Sequence, residues 1–159
     1  MSAATLKIKE IQDPAEKAGI SNGTLRSLPE WFGHEASLMD YVERTQSMPF
    51  YAAFDADNPI GFVAIKLHNA FTAEVCVMGI QREYHRQGIG KLLIDSCIQY
   101  CKDNQMEFLT VKTLDASGQS ESYDKTRQFY LSMGFKPLEV FPLLWDEDNP
   151  CLFMAMYIS

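Results

Sequence analysis

A chain of 159 residues has the size of one domain with one core, and 47% apolar against 22% charged residues predicts a folded chain, not a disordered one. A net charge of −7 argues against nucleic-acid binding, which needs a basic face, and suits a cationic partner such as an amine. Residues 1–10 carry no apolar signal core, and no run approaches the roughly 18 apolar residues that span a bilayer. The expectation is a cytoplasmic protein with no membrane contact. Cys76, Cys97, Cys101 and Cys151 form no C-x-x-C pair and have no nearby His at ligand spacing. They read as small apolar core residues, and no metal is expected.

In chain order, Leu6, Ile8 and Glu10 to Ile11 predict a first strand. Asp13-Pro14 reads as an N-cap followed by proline at the first helical position, opening a helix to about Leu28 that Gly19 and Gly23 weaken. Pro29 to Gly33 is a loop. Leu38, Tyr41, Val42 and Thr45 recur at helical spacing and predict a second helix. Three strands follow at Phe50–Phe54, Ile60–Leu67 and Phe71–Ile80, with a turn at Asp55–Pro59 and a short link at His68–Ala70, as in an antiparallel meander. From Gly88 to Asn104, Ile89, Leu92, Leu93, Cys97, Tyr100 and Cys101 share a helical face. Phe108–Leu114 is a strand, and residues 115–120 are a polar loop. Thr126, Phe129, Tyr130 and Met133 mark a helix that Gly134 should cap, and Phe135–Phe141 and Leu152–Ile158 are strands. This order is mixed α/β with strand–helix–strand crossovers in its second half, and no linker divides it.

The informative stretch runs from Val77 to Lys91. A strand leads into a glycine-bearing loop that opens a helix, where unpaired N–H groups and the helix dipole favour phosphate. Arg82, His85, Arg86 and Lys91 add positive charge in an otherwise acidic chain. Gly88-Ile89-Gly90 is a weak signal alone. Position 93 is Leu93, where a dinucleotide fingerprint needs glycine, and Leu92 follows Lys91, where a P-loop needs Ser or Thr. Val63-Ala64-Ile65-Lys66 spells a kinase strand motif, but neither HRD nor DFG is present.

The run Glu83-Tyr84-His85-Arg86-Gln87-Gly88-Ile89-Gly90-Lys91 resembles the acetyl-CoA loop of the GNAT N-acetyltransferases, whose pattern is Gln or Arg, two residues, Gly, one residue, Gly or Ala. His85 stands at the first position, a departure, with Arg86 beside it. Phe129-Tyr130-Leu131-Ser132-Met133-Gly134-Phe135 resembles a second family segment, in the right order and place. The family often has an Asn seven residues before that Tyr, where this chain has Tyr123. The resemblance implies a mixed, mostly antiparallel central sheet flanked by helices. It implies acetyl-CoA as co-substrate, with backbone amides of Gln87, Gly88, Ile89, Gly90 and Lys91 around its pyrophosphate and His85 or Arg86 supplying charge. It also implies that Met78, Gly79 and Ile80 pair with the pantetheine arm. Relatives often pair, which leaves a homodimer open.

Acetyl transfer needs a neutral amine, and removing a proton from a lysine-like ammonium of pKa about 10.4 at neutral pH costs roughly 4–5 kcal/mol. A carboxylate or imidazole can assist. Glu74, on the strand before the loop, and His68 are the candidate bases; the bland alternatives are a solvent-facing strand residue and a structural histidine. His68 could also hold substrate. The resemblance implies that Tyr130 protonates the leaving thiolate; by spacing alone it is a core aromatic. Trp31 and Trp145, with Glu30, are candidates for an acceptor pocket or simple packing residues. Three functions therefore stay in view: acetyl transfer to an amine of a small molecule or a protein, most simply a small molecule; an acyl-CoA-binding module without turnover; and an unrelated phosphate-binding domain.

Overall fold

The computed structural model describes residues 6–159. Its elements are β1 (Leu6–Glu10), α1 (Pro14–Arg26), α2 (Glu35–Arg44), β2 (Phe50–Asp55), β3 (Asn58–Leu67), β4 (Thr72–Ile80), α3 (Ile89–Asp103), β5 (Phe108–Leu114), α4 (Glu121–Met133), β6 (Lys136–Asp146) and β7 (Asn149–Tyr157), with short 3₁₀ turns at Thr45–Ser47, Arg82–Tyr84 and Ala116–Gly118. The strands form one seven-stranded sheet in the order β1-β2-β3-β4-β5-β7-β6, mostly antiparallel, with four helices. No helix among the described residues is long and apolar enough to cross a membrane. The chain clusters into two compact units. One comprises residues up to Lys66 with Cys76–Gln99, the other Leu67–Val75 with Tyr100–Ser159.

In the first unit, the Asp13 side chain accepts the Glu16 N–H at 3.2 Å, and Pro14 starts α1 where its missing N–H costs nothing. Gly19 and Gly23 do not break the helix, because one face, with Ile20, Thr24 and Leu25, is buried. Ile20, Leu25, Leu38, Val42, Phe50, Phe62 and Val77 share a core in which Phe50 and Phe62 stack at 5.1 Å. Lys17 is buried beside them, and its Nζ donates to the carbonyls of Met48 (2.7 Å) and Gln46 (3.4 Å), so the ammonium ties α1 to the turn before β2. β1 and β3 both pair antiparallel with β2. Gly61 and Gly79 permit close approach. A Cβ on Gly61 would meet the Gly79 carbonyl oxygen at 3.0 Å, and one on Gly79 would meet Thr24 Cγ2 at 3.2 Å and Leu28 Cδ1 at 3.3 Å.

In the second unit, β4 and β5 pair in parallel from Thr72↔Phe108 to Val75↔Val111, which needs a crossover connection, and α3 lies in it. β7 pairs antiparallel with both β5 and β6. β6 therefore runs parallel to β5 with β7 between them, and the crossover through α4 skips one position. Ser120, read from sequence as part of a polar loop, caps α4 at its start, and Gly134 ends it at φ 105°, the cap expected there. Arg127 is buried. It donates to the Leu114 carbonyl at 2.6 Å and pairs with Asp124, which docks α4 on the end of β5. β6 extends to Asp146, five residues beyond the predicted Phe141, because the pairing with β7 resumes at Asp146↔Asn149 after a bulge.

Candidate active site

The loop between β4 and α3 is shaped by its backbone. Gln81 N–H bonds the Ile60 carbonyl at 2.8 Å, and one 3₁₀ turn follows. Tyr84 Oη donates to Asp55 Oδ2 at 2.9 Å, and that bond raises the phenol's pKa above its ordinary value. Arg86 and Gly88 then both adopt left-handed φ, 63° and 79°. At Gly88 no atom lies within 4 Å of a would-be Cβ, so the conformation, not space, demands glycine. Arg86 is a non-glycine residue held in a sparsely populated region, as often happens where a loop is shaped for a ligand. The first turn of α3 then leaves N–H groups of Ile89, Gly90 and Lys91 ahead of the first helical bond, Leu92 N–H to the Gly88 carbonyl at 3.2 Å.

The basic side chains of this loop differ in their commitments. Lys91 pairs with Asp95 at 2.9 Å, and Arg82 pairs with Glu30. His85 turns back: its Nε2 lies 2.6 Å from the Ile80 carbonyl oxygen, and Trp31 sits edge-on to its ring at 6.0 Å. A carbonyl only accepts, so Nε2 carries the hydrogen. Arg86 stands exposed. Among the predicted acceptor residues, Trp31 is thus found packing on the loop histidine. Met78 and Ile80 are half-buried at the end of β4, and the missing side chain of Gly79 is explained by the packing of Thr24 and Leu28.

A second constellation lies in the other unit. Glu74 is 8% exposed on β4, and one of its oxygens, Oε1, meets both His68 Nε2 at 2.6 Å and Lys112 Nζ at 3.0 Å. The parallel pairing puts Glu74 opposite Thr110, which brings Lys112 within reach two residues on. A carboxylate only accepts, so Nε2 of His68 is protonated, and in the neutral ring Nδ1 keeps its lone pair. The His68 side chain is 32% exposed, so solvent reaches it. Lys112 Nζ also lies 5.8 Å from the centre of the Phe153 ring. The sequence reading named Glu74 and His68 but missed Lys112; a lysine inside the apolar strand Phe108–Leu114 was the available signal. Tyr130 packs elsewhere in the same unit, 6% exposed, with its ring against Phe129 (5.4 Å) and Phe135 (5.5 Å). Trp145 lies on β6, not in a loop, and is 46% exposed.

Residues 11–135 match the model of the acetyltransferase (GNAT) family. The chain belongs to that family. It is a GNAT N-acetyltransferase, and members of the family use acetyl-CoA. An uncharacterised N-acetyltransferase of Escherichia coli (strain K12), YedL, is 24% identical over 140 residues, covering 86% of this chain and 84% of its own. A GNAT-family acetyltransferase from Desulfovibrio desulfuricans superposes with a TM-score of 0.81 at 14% identity, over 97% of this chain and 99% of the other. An aminoglycoside 6'-N-acetyltransferase solved with coenzyme A gives 0.76 at 20% identity, over 96% and 97%. At these identities the structural likenesses establish the GNAT fold. None of the four cysteines of this acetyltransferase is joined in a disulfide, and burial pushes the thiols of Cys101 and Cys151 up to about 11, so neither is a nucleophile at neutral pH. Among the described residues no group of three or more metal-ligating side chains is gathered.

Proposed function

We propose that this chain moves an acetyl group from acetyl-CoA directly to a primary amine of a small cationic molecule, in the cytoplasm. The observation that carries the reading is the start of α3, where left-handed Arg86 and Gly88 lead into a helical turn with unbonded N–H groups. That arrangement suits a pyrophosphate, and Arg86 is an exposed cation in the same loop. β4 continues five residues past its last rung with β5, from Cys76 to Ile80, which suits an extended pantetheine arm. The net charge of −7 fits a cationic acceptor, and one similar structure is an aminoglycoside acetyltransferase. Cysteines outside disulfides fit a reducing compartment. The family match takes in stretches of both units, which supports reading the chain as one domain.

Acetyl-CoA supplies the thioester carbonyl that the amine attacks and the thiol that leaves. His68 takes the ammonium proton at Nδ1, directly or through water, while Glu74 holds Nε2–H and stabilises the imidazolium that forms. Lys112 balances the Glu74 charge in its buried place. As the tetrahedral adduct collapses the nitrogen loses its second proton to water, and Tyr130 donates the proton that the departing thiolate needs and is reprotonated from solvent. In this reading Glu74, expected as the base itself, acts one step behind His68.

The test is release of CoA thiol across a panel of amines, with background hydrolysis subtracted. Amine-dependent release establishes the transferase and names its acceptor class. Binding of acetyl-CoA with no release to any amine would instead favour the binding module. His68→Gln should lower kcat by about 10²-fold, and Tyr130→Phe should lower kcat with the fold retained. Unchanged turnover in folded variants would remove those two roles.

A further inference from the structure

The loop that opens α3 holds Arg86, a residue with a side chain, at φ 63°. A left-handed conformation at such a residue persists only where its surroundings hold it. Within the loop, Tyr84 Oη is tied to Asp55, and His85 Nε2–H to the Ile80 carbonyl at 2.6 Å. From outside, the turn between α1 and α2 meets the loop twice. Pro29 is the second residue of that turn, which the Trp31 N–H closes on the Leu28 carbonyl at 3.1 Å. The Phe32 N–H bonds the same carbonyl at 3.0 Å. Leu28 is buried at one side of the turn. At the other side Phe32 packs on the core and on Tyr41, with ring centres 6.1 Å apart. Two apolar anchors thus fix the turn, and the residues between them reach the loop: Glu30 pairs with Arg82, and Trp31 meets His85 edge-on at 6.0 Å.

We infer that this turn is a brace for the co-substrate loop, and that Trp31 is a positioning residue for acetyl-CoA that acts through His85. The His85 ring is held between the indole and the end of β4, and Arg86 follows it directly. The indole therefore limits the backbone rotation by which Arg86 would relax to negative φ. Without it the loop has other conformations open, and apparent affinity falls with the fraction that stays competent to bind. The Glu30–Arg82 pair lies at the surface and adds little in water, so packing carries the brace. The role rests on the reading that this loop holds the pyrophosphate. It also gives the histidine at position 85 a use, because the ring bonds the strand end and meets the indole while the cation stands on Arg86.

Calorimetric binding of coenzyme A to the full chain tests the brace without turnover. Trp31→Ala should weaken binding about tenfold, and Trp31→Phe, which keeps an aromatic ring against His85, should restore most of it. The sharper readout is a cycle with Arg86→Gly. Glycine takes a left-handed φ freely and needs no brace. In the Arg86→Gly background, already weaker for loss of the cation, Trp31→Ala should cost only about twofold more. Should the alanine variant not fold, Trp31→Leu, which fills part of the space, carries the same cycle. Equal costs in both backgrounds overturn the inference, since lost packing alone gives that result. So does a Trp31→Ala variant that binds coenzyme A like the parent and raises only the KM for the amine, as a residue of the acceptor pocket would. Gly88→Ala separates the two readings. If it weakens binding and Trp31→Ala does not, the brace alone falls. If neither does, the loop is not the co-substrate site and both readings fall.

Discussion

The loop that opens α3 and the Glu74–His68–Lys112 cluster build sites in opposite ways. The loop uses consecutive residues and mostly backbone: two left-handed φ angles and a helix start orient N–H groups, and side chains add charge at the margin. The cluster uses side chains brought from three places, with Glu74 and Lys112 separated by 38 positions and joined only because β4 and β5 pair in parallel. A backbone site tolerates exchange of most side chains but not of the residue that sets a dihedral. A side-chain site depends on each member and on the pairing that assembles them.

That contrast can be broken first at the cluster. Lys112→Met should be the most damaging single change, because it leaves the Glu74 carboxylate buried beside His68 alone. A stability loss of about 2–3 kcal/mol is expected by urea denaturation, with a fall in kcat/KM. A variant as stable and as active as the parent would show that Lys112 is only a neighbour. At the loop, Gly88→Ala forces a side chain to φ 79° and should cost about 1–2 kcal/mol, while KM for acetyl-CoA rises more than kcat falls. An unchanged KM would mean that the loop does not hold the co-substrate. The smallest and most discriminating change is Arg86→Gly. It relieves φ 63° and should raise stability by up to about 1 kcal/mol, yet weaken acetyl-CoA binding by removing the exposed cation. Stability and affinity moving in the same direction would contradict the division between conformation and charge.

The loop was legible in the sequence because its physics is local. Gly88, the strand before it and the helical stripe after it follow one another directly in the chain, and Asp13, Pro14 and Gly134 announced helix ends in the same way. The family resemblance then joined the two motifs. The cluster was half legible: Glu74 and His68 were candidates as single residues, but their 2.6 Å contact and the arrival of Lys112 follow from strand register, which no short window encodes. The commitments of the loop cations were also invisible. Nothing in the string says that His85 bonds Ile80 and Trp31 packs on it, that Lys91 pairs with Asp95, or that Arg86 is left exposed. β6 was read as too short because its bulge hides the alternation that marks a strand.

Lys17 carries a different kind of information. Its amine is sealed by the carbonyls of Met48 and Gln46, so in the native chain it is closed to any acylating reagent, whereas the unfolded chain presents it like every other lysine. Modification at Lys17 therefore dates from before folding or from a later opening of the α1 packing. A brief pulse of an amine-reactive label, read peptide by peptide in a mass spectrometer, turns this one residue into a built-in record of the chain's conformational history.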